Sequence, residues 1–445
     1  MGFLDDLSKG LPGLKLAIPN TWRRQEEQER RAVLVDPDHR VGWHILHAPW
    51  RLDLREDPAG SKEQAGAFRR DLERHARYGF EQHYTQVPQP RPAPSQVGPP
   101  QRPPVRTSDP DWSPIISVER VTIGAQPALL TIRRVAYEPA MEAVVGNLLV
   151  PVATGLIDLT VFQHTQETGF REKTLLNLAL QKYPGEGPQK LARRLGQPYL
   201  DDEQHDAQFP NHPLSCVRAA LRWLCGLPAE QFAITAPAPA LPTADARVEL
   251  PAVGCSVQVP PRYLLIPDGV LPVPMGVALL SRVILEGADD PQMLDIRHLS
   301  GPSLPAEGRQ ERLLALSKHQ VEEWQRQGAT QLELKQESIE LPSDPDPQLA
   351  SAGPRIGLSV EVSMLLGGFR THTVARWLVD HDGRVFRMGI ATKPYVPMNE
   401  AAADVDLVLR SFRRLPAKKA VTAAWLTSDL RLAPLKRGQT PAPSN

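Results

Sequence analysis

Two stretches on either side of an alanine- and proline-rich middle carry one pattern, and this internal echo constrains the fold more than any other feature. Gly13-Leu14-Lys15-Leu16-Ala17-Ile18-Pro19 is matched by Gly254-Cys255-Ser256-Val257-Gln258-Val259-Pro260, and His44-Ile45-Leu46-His47 by Asp295-Ile296-Arg297-His298. An amphipathic helix pattern follows each copy. It ends at Gly79, 32 residues after His47, and at Gly328, 30 residues after His298. Spacing kept this closely indicates duplication of a whole module. A chain of 445 residues also exceeds what one core usually holds, so two like domains are expected.

Each half reads as strands, then a helix, then a run of long strands. In the first half, 14–18 and 41–48 have strand character, and Ala65, Phe68, Leu72 and Ala76 recur at helical spacing with Arg69, Arg70, Glu73 and Arg77 opposite. Strands follow over 115–123, 128–136, 142–151 and 155–163. The second half repeats the scheme with strands over 256–259 and 293–298, a helix over 309–327, and strands near 332–341, 358–365, 371–379 and 384–392. His381-Asp382-Gly383-Arg384 is a hairpin signal of the Asp-Gly kind. Consecutive strands joined by short turns pair antiparallel. The fold class is therefore α+β: two tandem antiparallel-sheet domains, each with one long helix packed on its sheet, plus a helical connecting segment.

Proline placement supplies the boundaries. There are 46 prolines, and their densest run cannot hold a helix or a central strand, because each lacks a donor and restricts its neighbour. The expected organisation is a first domain over 1–175 with a proline-rich insertion at 87–110. A helical connecting segment over 176–235 and an alanine-proline linker over 236–248 follow. A second domain covers 249–416, and a C-terminal extension over 417–445 ends in a disordered tail.

Charge and motifs exclude several function classes. Lys plus Arg and Asp plus Glu number 51 each, so nothing in the global balance draws the chain towards nucleic acid or an anionic membrane. The longest apolar candidate, 144–159, is too short to span a bilayer and holds Asn147, Pro151 and Asp158. The start, Met1-Gly2-Phe3-Leu4-Asp5-Asp6, lacks a secretory pattern, which makes the cytoplasm the expected address. Cys216, Cys225 and Cys255 are odd in number and lack zinc spacing, so they read as buried thiols. Gly-x-Ser-x-Gly, the Walker-type loop and Gly-x-Gly-x-x-Gly are all absent, and no cofactor is expected.

The remaining candidates each have a sharp and a bland reading. His205, Asp206 and His212 offer donors that suit zinc or iron, as in a metal-dependent hydrolase; alternatively His212-Pro213 opens a helix and Arg218 pairs with the acidic run 201–206. Ser215 and Cys216 beside His212 suggest a nucleophile, but residues at a helix entrance more often serve as capping groups. His47 and His298 occupy equivalent strand positions and, with Trp324, are candidate protein-binding residues. Trp43, Trp50, Trp324 and Trp377 read equally as core fillers.

A pattern over 398–415 closes the second half, with Ala402, Val405, Leu409 and Phe412 on one stripe and the ending Leu409-Arg410-Ser411-Phe412-Arg413. A strand finishing in Pro near the start, a central sheet, and a terminal helix closing in Ser-Phe resemble the Mog1/PsbP-like fold. They resemble in particular the DcrB-related group of bacterial proteins, in tandem over 13–165 and 254–415, with the long insertion and the missing Ser-Phe helix after the first copy as departures. That resemblance implies a non-enzymatic adaptor or chaperone associated with type VI secretion, whose partner is another protein, a secreted effector with apolar helices. Such an adaptor should show a groove of aliphatic and Met side chains between the halves. A structural component of a larger assembly would carry its apolar patch on an outer face, and an enzyme would show a polar pocket pairing a histidine with a carboxylate.

Overall fold

A computed structural model of the chain describes residues 14–28, 31–48, 52, 54, 69–78, 113–123, 126–138, 141–153, 155–164, 170–185, 187–234, 247–260, 263–266, 276–282, 292–299, 303–339, 341, 355–366, 369–392 and 395–415. The proline-rich insertion 87–110, most of the linker 236–248 and the extension 417–445 lie outside the described residues.

The first half runs β1 (Leu14–Leu16), β2 (Arg23–Gln28), β3 (Arg31–Asp36), β4 (Val41–Ala48), helix α1 (residues 69–78), β5 (Ile115–Ile123), β6 (Gln126–Glu138), β7 (Met141–Val152) and β8 (Gly155–His164). Helices α2 (Phe170–Lys182), α3 (Pro188–Leu200) and α4 (Pro213–Cys225) follow, then β9 (Phe232–Ile234). The second half runs β10 (Arg247–Leu250), β11 (Cys255–Gln258), β12 (Leu264–Leu265), β13 (Val277–Arg282), β14 (Gln292–Leu299), α5 (Arg309–Arg326), β15 (Thr330–Ile339), β16 (Ile356–Leu366), β17 (Phe369–Val379) and β18 (Val385–Thr392). It ends with α6 (Met398–Ser411) and β19 (Arg413–Arg414).

The architecture is α+β, with two large antiparallel sheets of seven strands each. Their orders, β2-β3-β4-β8-β7-β6-β5 and β12-β13-β14-β18-β17-β16-β15, are the same topology. Alternation builds both sheets: in β4, Val41, Trp43 and Ile45 point to one buried side. The expected Asp-Gly hairpin joins β17 to β18, with Val379 opposite Val385. Gly383 is required there, because it has φ +82° and a Cβ would lie 2.2 Å from the Leu304 carbonyl oxygen.

Each sheet is covered on both faces. On one face, α1 places Leu72 and Ala76 against Leu129, Leu149 and Leu156, and α5 places Leu313, Val321 and Trp324 against Val360, Val362 and Trp377. The other face carries a closing helix in both halves. In the second half this is α6, over β17 and β18; in the first it is α4, over β7 and β8. Val217, Ala220, Leu221 and Leu224 fall at i, i+3, i+4 and i+7, and all are buried in the first core. The helix lies so close that a Cβ on Gly146 would sit 2.7 Å from Leu221 Cδ1 and 2.9 Å from Val217 Cγ1.

A short strand after each closing helix returns to the echoed segment: β9 pairs with β1, Leu16 opposite Phe232, and β19 pairs with β11, Cys255 opposite Arg414. Within 176–235, expected as a connecting segment, the end supplies the helix and strand that complete the first core. Among the described residues, α2, α3 and the turn Glu203–His205 are additions to the first half. The two halves meet where α1 touches the start of α6. Arg74 Nη1 donates to Glu400 Oε1 at 2.9 Å, and Tyr395 packs against His75 and Tyr78 with ring centroids 4.8 and 5.4 Å away.

Candidate functional site

Polar side chains concentrate in the first half around the inserted helices. Arg171, in the first turn of α2, is 1% exposed, and its guanidinium is fully engaged. Nη1 donates to Asp206 Oδ1 at 2.9 Å and Ser215 Oγ at 3.0 Å, Nη2 to the Asp202 carbonyl at 2.8 Å, and Nε to the Leu200 carbonyl at 3.2 Å. Asp206 also accepts from Arg218 at 3.1 Å, Arg222 at 3.5 Å and Ser215 Oγ at 3.1 Å. Beside this group, Asp201 accepts from Gln197 and from Arg134 on β6. The cluster is an arginine-carboxylate lock that fastens the insertion to the sheet and to α4.

The lock decides what His205, Asp206 and His212 can do. Three guanidinium groups already surround the Asp206 carboxylate, and their charge opposes a divalent cation at the same oxygens. His212 caps α4: its Nδ1 accepts from the Leu214 N–H at 3.2 Å, which requires the neutral ring. Burial chiefly pushes its pKa down to about 4, with Arg171 and Arg134 adding to the effect and Glu172 opposing it. His205 sits on the turn before α4, edge-on to Tyr199 with centroids 5.1 Å apart, and burial followed by the Arg171 charge lowers its pKa. Among the described residues, no three His, Cys, Asp or Glu side chains gather as a metal site.

The nucleophile reading meets a similar geometry. Ser215 donates to Asp206 and receives Arg171, so it belongs to the lock and does not face His212. Cys216 bonds the Pro210 carbonyl at 3.5 Å, and burial raises its pKa, which disfavours the thiolate.

The paired histidines lie where the echo places them. His47 is opposite Ile157 and His298 opposite Phe386, each near the end of its strand on the closing-helix side. His298 stacks on Phe386 at 5.0 Å, and burial lowers its pKa. Both pack at the rim of a core. Trp324 is buried between α5 and its sheet, as are Trp43 and Trp377 in their cores, so the structure corrects its reading as a docking residue.

Among the described residues, the contacts at the seam between the halves are charged and aromatic, where a groove of aliphatic and Met side chains was expected. A shallow crevice there is lined by Asp71, Arg74, Tyr395 and Val396. Of the methionines of the second half, Met364 and Met388 are core residues.

One contact escaped sequence reading altogether. Ser363 on β16 and His372 on β17 are cross-strand neighbours, with Ser363 Oγ 2.7 Å from His372 Nδ1. Burial, then Arg370, lowers the His372 pKa, and the tautomer of the ring decides which of the two groups donates. Glu333 lies opposite Ser363, on the far side of the serine from the imidazole, and so does not orient the ring as a catalytic third member would. Only the pairing register brings these residues together.

Among the described residues, no helix is long and apolar enough to cross a membrane. No family model matches the chain, and no curated protein matches it. Among solved structures, the chain is similar to cyanobacterial PsbP (CyanoP) from Synechocystis sp. PCC 6803, at 17% identity over 40% of this chain and 96% of that one, with a TM-score of 0.27. It is also similar to the apo immunity protein TplEi of the T6SS from Pseudomonas aeruginosa, at 10% identity over 89% of this chain and 97% of that one, with a TM-score of 0.20. Both resemblances are weak.

Proposed function

We propose that the chain is a non-enzymatic protein-binding adaptor, a covalent pseudo-dimer whose like halves present their surfaces to another polypeptide. One observation carries this reading: the module is duplicated with its topology intact, while among the described residues charged side chains at its core are engaged in structural pairs. Arg171 with Asp206, Arg387 with Asp295, Arg355 with Asp380, and Arg376 with Glu361 and Asp406 hold helices and strands in place. Duplication adds surface and a second edge strand, both of which serve binding. The partner class implied by the DcrB-related resemblance is a secreted effector with apolar helices, the role of a secretion-associated chaperone.

The test is affinity capture of the full chain from its source organism, followed by co-expression with whatever is retained. A single polypeptide that re-forms a stoichiometric complex from purified components is the expected result. Turnover of a hydrolase substrate panel by a chain that retains no polypeptide would overturn the proposal.

A further inference from the structure

The free edge of the second sheet has the properties of a self-complementary strand. β15 has β16 on one side and, among the described residues, no strand on the other. The described residues include four strongly exposed large apolar side chains, and the two in the second half, Leu334 at 42% and Leu314 at 37%, belong to this rim. Gln310 Nε2 donates to Ser338 Oγ, and Gln336 Nε2 donates to Ser317 Oγ at 2.9 Å. Leu314, between Gln310 and Ser317 on the same face of α5, therefore stands beside 336–338. On the opposite face Glu333, Lys335 and Glu337 alternate in sign, with Lys335 Nζ 3.1 Å from Glu337 Oε1.

We propose that β15 pairs antiparallel with β15 of a second copy of this chain, in the register centred on Gln336. That register sets Lys335 opposite the partner's Glu337, and Glu337 opposite the partner's Lys335. Together with the pair inside each strand, they close a ring of four alternating charges. It also sets Leu334 opposite the partner's Ser338, beside the partner's Leu314, so each copy covers the other's two exposed leucines in the reciprocal way a twofold interface requires. The pairing uses the regular stretch 333–339 and stays clear of the bulge near Gln331, which has φ +50°.

Neighbouring registers are poorer. Centring on Lys335 opposes Lys to Lys and Glu333 to Glu337, and centring on Leu334 draws the bulge into the ladder. Charges on an edge ordinarily keep strands apart, but their alternation here makes the repulsion specific to register. The equivalent edge β5 is mostly half-buried and has no strongly exposed large apolar side chain. The chain after β15 contains Pro342, Pro345 and Pro347, which lack the N–H that a ladder needs, so the stretch is poorly suited to be an eighth strand itself.

The experiment is light scattering on the full chain across a dilution series, with hydrogen exchange on 330–339. The wild type should show twice the 49.2 kDa chain mass when concentrated and dissociate on dilution. K335E and E337K, both at exposed positions, should each remain at 49.2 kDa with unchanged circular dichroism, and the double swap K335E/E337K should restore the dimer. E333K should dimerise as the wild type does. A monomeric wild type at every concentration overturns the proposal, as does a dimer insensitive to the single changes or unrestored by the swap. Loss of the dimer in E333K overturns the register. Protection, in monomeric E337K, of those 333–339 amides that point away from β16 also overturns the proposal, since it means another part of the same chain covers the edge.

Discussion

Replacing Arg171 by Met probes the inserted helices most sharply, because the change keeps the length of the side chain and removes its charge and donors. A buried ion pair broken from one side costs about 3–5 kcal/mol, whereas an exposed pair contributes about 0–1 kcal/mol. Asp206 would keep Arg218 at 3.1 Å and Arg222 at 3.5 Å, so its charge is not stranded and the cost falls at the lower end. The carbonyls of Leu200 and Asp202 lose their donors, at roughly 1 kcal/mol each. The lost carbonyl bonds are already part of the truncation cost, so a loss of about 3 kcal/mol is expected overall. Arg222→Ala is the control: the Arg222 and Glu203 side chains are 56% and 70% exposed, and a change below about 1 kcal/mol is expected. Urea unfolding followed by circular dichroism measures both, and limited proteolysis between 170 and 206 locates the effect. If R171M stays within about 1 kcal/mol of wild type with no new cleavage, the lock does not hold the insertion.

Three further outcomes follow from the structure. His212 has an ordinary pKa of 6.5 when unfolded and about 4 when folded, so the unfolded chain binds the proton first; its stabilising contribution is complete above pH 6.5 and falls as pH drops towards 4. The slope approaches about 1.4 kcal/mol per pH unit for one group, and H212N, which keeps a capping acceptor but does not titrate, should flatten that part of the stability-pH curve. His39 runs the other way: its hydrogen bond to Asp36 raises its pKa, so its contribution is present below pH 6.5 and is lost as pH rises through the raised value. Gly146→Leu should destabilise the first half by about 1–3 kcal/mol or more through overpacking against Val217 and Leu221, measured by thermal melting.

The repeat was legible because duplication preserved local signals: the echoed strand, the long helix at 309–326 and the Asp-Gly turn each depend on a few adjacent residues. The closing helix of the first half was seen as a helix opening at His212-Pro213 but not placed. In the second half α6 starts six residues after Thr392, whereas α4 starts 49 residues after His164, and local pattern does not report which sheet a distant helix covers. β2 was missed because Arg23–Gln28 is polar throughout, as an edge strand tolerates. His205, Asp206 and His212 were visible as donor types, but the three arginines that claim Asp206 come from α2 and α4, and only tertiary structure assembles them. Ser363 and His372, nine residues apart, meet through a hairpin register that side-chain identity alone does not specify.

Native-state hydrogen exchange on the full chain tests most directly whether both copies are complete modules, each closed by its own helix. Amides of 213–225 should exchange with the same opening free energy as β7 and β8, while 170–200 opens at lower cost. Exchange of 213–225 together with 170–200, well before β7 and β8, would mean that the first half lacks a closing helix and that the two halves are not equivalent.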